Sequence, residues 1–250
     1  MEDAPPPAPQ SPPSMALVWQ PRDLPIGVGL LLLGYAVVVG IALVLREFGH
    51  PEVDTSIALA VALVTLGFEV WLGAIVLILA TRRDLSLADL GFRMPGARQV
   101  KWIFATVAGA YGIIIAYGIV VVLIQEATGT DLSRLIEGNA LPESDASTAL
   151  VWAVLGLSVV LAAPFGEELF FRALMFRSFA ARWGLPVGLA ASGLLFALVH
   201  FEVSVVLPFW GVGAWFAWAY HRSGSLWTTV SAHAIFNGIS FAVTVAGVQP

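Results

Sequence analysis

Three short stretches of this chain set chemistry-bearing side chains at helical spacing inside apolar sequence. The first is PFGEELFFRALMF, residues 164–176, where Glu167, Glu168 and Arg172 stand among phenylalanines and leucines. Residues four apart share a helix face, so Glu168 can pair with Arg172. Glu167 then points about 100° away. One carboxylate is neutralised and one is left over, which suits a general base; the plainer reading is a salt-bridged packing cluster. The second stretch, FALVHF, carries His200, with Phe196 one turn earlier on the same face. A histidine at a helix end is otherwise an interfacial residue. The third, SAHAIFNGIS, spaces His233 and Asn237 by four. Both can donate hydrogen bonds, and as interhelical glue such a pair contributes about 1 kcal/mol.

Taken as a set, these residues gain force. A charge near the middle of a bilayer costs about 2.5–3.5 kcal/mol on insertion scales, so intramembrane ionisable groups are functional candidates. A spare carboxylate, two imidazoles, an amide and an arginine-buffered second carboxylate are the parts needed for water to attack a carbonyl. The chain has no HExxH and no GxSxG, so neither a soluble zincin nor an α/β-hydrolase is the template. Other polar residues read more simply. Glu69, in TLGFEVWLG, is a structural pair for a cation or part of a cavity wall. His221 and Arg222, in YHRSGS, read as turn residues, and His50 lies in an outer loop. Gly109, Gly112, Gly211 and Gly213 are expected at close helix contacts.

The elements that must position these groups are membrane helices. The chain has 250 residues, 58% hydrophobic and only 12% charged, with a mean hydropathy of +0.87. Ordinary soluble domains are nearer a quarter charged. Apolar runs of about twenty residues recur, the length that crosses a bilayer core, and the short alternating strands of a β-barrel are missing. The expected fold class is an all-α polytopic bundle of seven or eight spans. These are placed at 24–45, 56–80, 102–124, 148–164, 165–182, 186–201, 203–220 and 225–247, with the count hanging on whether Pro164 breaks a helix. The loop TRRDLSLADLGFRMPGARQVK is the most basic and is expected in the cytoplasm, with the N-terminus inside and the acidic 126–147 loop outside. Trp19, Trp102, Trp183 and Trp227 lie near span ends, as interfacial tryptophans do.

The organisation expected is a proline-rich disordered tail over 1–20, an N-terminal transmembrane region over 21–144 and a catalytic transmembrane domain over 145–250. The tail lacks the basic and apolar blocks of a secretory signal peptide, and Met15 opens a stretch that leads straight into the first span. There is no cysteine, hence no thiolate chemistry. No basic stripe suggests nucleic acid. The Ala/Val/Gly-rich composition reads as bacterial, which places the protein in a cytoplasmic membrane.

EELFFR, FALVH and HAIFN, in that order on separate apolar runs, resemble the three motifs (EExxxR, FxxxH and HxxxN) of the CPBP intramembrane proteases. That family is also called Abi and includes the type II CAAX prenyl endopeptidases. The resemblance covers roughly residues 145–245. It implies that Glu167 activates water together with His200, that His233 and Asn237 hold the oxyanion, and that Glu168, Arg172 and Phe196 support the site. The family often has glycine where this chain has Ala173, which bears on helix packing. No cofactor is required by this reading; a divalent metal such as zinc could be held by the two histidines and a glutamate. The partners are the lipid bilayer and a membrane-associated protein or peptide substrate. The rival readings are a non-catalytic scaffold or bacteriocin self-immunity protein of the same fold, and a transporter using the buried groups as a proton relay. No inverted repeat marks a transporter.

Overall fold

Backbone polar groups have no water to bond in hydrocarbon, so apolar runs of this length cross a membrane as helices. The computed structural model describes residues 19–49, 54–94, 96–136 and 148–246. Seven apolar helices run through them: α1 (Asp23–Arg46), α2 (Thr55–Thr81), α3 (Ala97–Thr128), α4 (Ala149–Trp183), α5 (Leu185–Leu198), α6 (Val203–Ser223) and α7 (Leu226–Val245). Six are long and apolar enough to span a bilayer, and α5 is shorter. No strand occurs among the described residues. The all-α membrane bundle expected from the sequence is therefore the fold. The tail, apart from Trp19 and Gln20, lies outside the described residues, as do His50 and residues 137–147 of the acidic loop.

Pro164 does not separate two helices. α4 runs through it as one rod, and the reason is local. Leu157–Ala162 is π-helical, with the Ala163 amide donating five residues back to the Ser158 carbonyl. In that register the Val159 carbonyl would take its hydrogen bond from residue 164, which as proline has no N–H to give. Asn237 of α7 supplies the donor instead, its Nδ2 lying 2.9 Å from the Val159 oxygen. A second π-helical stretch, Glu168–Phe176, follows, and all nine of its residues are buried.

One end of the bundle is knitted together by its loops. Arg83 pairs with Asp23 at 2.6 Å. The Leu226 amide donates to the Gly91 carbonyl at 2.7 Å, Ser225 Oγ to the Arg93 carbonyl at 2.6 Å, and Tyr220 Oη to the Leu90 carbonyl at 3.2 Å. Arg177 reaches the Asp89 carbonyl. The exposed Asp89 carboxyl is held below the usual range by the hydrogen bond it accepts from Ser86 Oγ at 2.6 Å. Gly91 adopts φ +96°, and a side chain there would meet Tyr220 Oη. Trp19 is not interfacial as its position suggests. It is 1% exposed and donates from Nε1 to the Ala173 carbonyl at 2.6 Å, plugging this end of the core. His221 and Arg222 form the last turn of α6 rather than a loop. At the far end the helices finish in small polar caps, such as Gly129 at φ +67° after α3 and Asp54 accepting from the Ser56 and Ile57 amides before α2.

Close helix approach sets the middle of the bundle. A Cβ at Gly166 of α4 would run into the Glu69 carbonyl of α2. Gly213 of α6 sits against Gly193 of α5 in the same manner. Gly109 and Gly211 also lie at contacts, against Trp215 and Ile113, whereas Gly112 has nothing within 4 Å.

Candidate active site

Four elements converge on one buried cluster. Glu168 is fully buried on α4 and ion-pairs with Arg172, one turn on, at 3.1 Å. Its other oxygen lies 3.0 Å from His233 Nδ1 of α7. Across the imidazole, His233 Nε2 lies 3.8 Å from Glu167 Oε2. The result is a linear array, Arg172–Glu168–His233–Glu167, running from the core toward open space. The adjacency of the two glutamates has a purpose here: one grips Nδ1 of the histidine and the other faces Nε2. Holding Nδ1 on a carboxylate fixes the orientation and tautomer of the ring.

Phe196 of α5 joins the parts. Its ring lies 4.7 Å from the Arg172 guanidinium carbon, 5.0 Å from the His200 ring and 6.1 Å from the His233 ring. A desolvated cation over an aromatic face is stabilised by the ring quadrupole. The same residue's carbonyl lies 2.9 Å from His200 Nδ1. With Nδ1–H donating there, His200 Nε2 carries the lone pair. His200 itself lies just past the end of α5, in a turn that is doubly fixed. Tyr35 of α1 donates from Oη to the Val199 carbonyl at 2.5 Å. Phe201 adopts φ +52°, a conformation that side chains rarely hold, with its ring edge-on to Tyr35 at 4.6 Å. Such outliers persist where their surroundings over-determine them, often at functional sites. Glu202 then caps α6, accepting from Ser204 Oγ at 3.1 Å.

The cluster forms the floor of a cavity of about 580 Å³. Glu167, His200, His233, Asn237 and Phe196 all line it, so every side chain expected to contact a substrate faces one space. Glu168 and Arg172 do not line it and stand behind, as supporting groups. Asn237 spends one amide hydrogen on the Val159 carbonyl and keeps a second. Glu69 also lines the cavity, 8% exposed, with an Oε2 that has no hydrogen-bond partner. Among the described residues no lysine or arginine lines it. Among the described residues no three His, Cys, Asp or Glu side chains converge as metal ligands.

Sequence reasoning found the three motif pairs but not Tyr35 or Phe201. Spacing carries no signal for either, since Tyr35 acts from a distant helix through a backbone carbonyl. Glu69 was visible as an intramembrane charge, and its cavity position was one of its two readings.

Residues 149–239 match a family model described as Rce1-like: type II CAAX prenyl endopeptidase. The match covers nearly all of α4 through α7 and includes all three motifs, bearing out the resemblance drawn from them. No curated protein and no solved structure matches the chain.

Proposed function

We propose that this chain, which over residues 149–239 belongs with the Rce1-like type II CAAX prenyl endopeptidases, hydrolyses a peptide bond of a membrane-associated protein or peptide. The observation that carries the reading is the array in which Arg172 neutralises Glu168, Glu168 holds His233, and Glu167 faces the cavity beside both histidines.

A water molecule held between Glu167 and His200 Nε2 gives a proton to the Glu167 carboxylate as its oxygen attacks the carbonyl carbon. The developing oxyanion takes hydrogen bonds from the protonated His233 Nε2 and from the second Asn237 amide hydrogen. Collapse of the tetrahedral intermediate breaks the C–N bond, and the proton on Glu167 passes to the leaving nitrogen. The cavity is largely apolar, which keeps bulk water from these charges and strengthens their interactions. No step passes through a metal.

A general base contributes about 10²- to 10⁴-fold. Glu167→Gln keeps the size of the side chain and removes the base. Cleavage of a quenched fluorescent peptide library by the purified protein in detergent is expected to fall by that order in this variant. A Glu167→Gln protein that cleaves as well as wild type would refute the assignment.

A further inference from the structure

The cavity has a direction. Along α7 its lining runs from His233 past Asn237 and Ser240 to Thr244 at the end of the helix. On the α3 side it passes Tyr111 and Gly118 and reaches Leu135 and Ile136, beyond the end of that helix. Toward the 82–94 loop the way is shut. Phe92 stacks on Phe165 at 5.5 Å and meets Trp227 edge-on at 5.2 Å. Leu90 is buried beside them, and the loop is bound to the start of α7 by the Gly91 and Arg93 carbonyls. No residue of this loop lines the cavity.

The two ends of the bundle also carry opposite charge. The shut end presents Arg22, Arg82, Arg93, Lys101 and Arg222 as exposed cations, against Asp84 and Asp89. The end that the cavity reaches presents Glu47, Glu126, Asp131 and Glu202, against Arg46 and Arg134. Lysine and arginine are retained on the cytoplasmic side of a membrane.

We infer that the cavity is entered from the non-cytoplasmic face, and that its substrates are exported segments of membrane-anchored polypeptides. Its lining refines the chemistry. With Glu69 and Glu167 as its carboxylates and, among the described residues, no lysine or arginine in its lining, it disfavours acidic side chains. An apolar stretch cut at an internal bond fits. The word substrate rests on the hydrolytic reading above, whereas the side of entry is read separately.

The absence of cysteine makes the test clean. Thr244→Cys and Ile136→Cys place one thiol each at the outer reach of the cavity, and Arg82→Cys places one at the shut end. Each is expressed in a bacterial host, and spheroplasts are treated with a membrane-impermeant maleimide before and after permeabilisation. Thr244→Cys and Ile136→Cys are expected to label in intact spheroplasts, and Arg82→Cys only after permeabilisation. The reverse pattern, equal labelling of all three, or no labelling at the cavity end under either condition overturns the inference. Should Thr244→Cys fail to fold, Ile136→Cys reports the same end. Peptide cleavage by the wild-type protein is measured beside the labelling and separates the two proposals: the expected labelling pattern with no cleavage by wild type removes the hydrolytic reading and leaves the side of entry standing.

Discussion

α1 and the Glu168–Phe176 stretch of α4 are both membrane helix, yet they solve opposite problems. On α1, Leu32, Leu33, Leu43 and Val44 are each more than half exposed, as side chains facing lipid. On α4 every residue from Glu168 to Phe176 is buried, and two of the nine are charged. A lipid-facing surface needs only to be apolar and long enough. A surface enclosed by protein must match its neighbours atom by atom, and in return it can hold a charge, provided a partner sits beside it. The charges therefore mark the enclosed helix, while apolarity marks only the membrane.

The contrast can be broken by substitution, with stability read as thermal unfolding in detergent. The largest effect belongs to Arg172→Ala, which strips the buried Glu168 of its ion pair at 3.1 Å. Removing one partner of a buried pair costs about 3–5 kcal/mol. A variant that melts like wild type would show that the pair does not hold α4 in place. Gly166→Ala comes next, because its Cβ runs into the Glu69 carbonyl. Overpacking of this kind costs about 1–3 kcal/mol, and an unchanged melting point would mean that α2 and α4 separate freely. Asn237→Ala frees the Val159 carbonyl, for a loss of about 1 kcal/mol. The companion Pro164→Ala should soften that loss by restoring a backbone donor, and a double variant no better than Asn237→Ala alone would break this link. Leu32→Ala, on the lipid face, is expected to shift stability by no more than about 0.5 kcal/mol. A large loss there would mean that α1 packs against something beyond this chain.

Much of this was legible in the sequence, and the limits follow from physics. The helices were readable because hydrocarbon permits no other solution for long apolar runs. The motif pairs were readable because a four-residue spacing fixes a shared face, as Glu168 and Arg172 show. Pro164 was not, because whether a proline breaks a helix depends on who satisfies the stranded carbonyl, and here that is Asn237, more than seventy residues away. Trp19 misled for a related reason. A tryptophan near a span end suits the interface, but this one found a partner in the Ala173 carbonyl and turned inward. The role of Tyr35 depends on α1 lying beside the turn after α5, which no local pattern encodes.

The π-helical stretches of α4 carry one last consequence. A π turn is an α-helix that has accommodated one residue more than its hydrogen-bond ladder requires. Leu157–Ala162 thus bears the mark of a single-codon insertion, absorbed without unravelling the rod. Losing one residue there would restore regular winding and turn everything beyond it by about 100° relative to what precedes. Glu167 would then face a different neighbour although no residue of the three motifs had changed. In this helix residue count and geometry are coupled, and a chain that kept every motif residue would still lose the cluster through one deletion upstream.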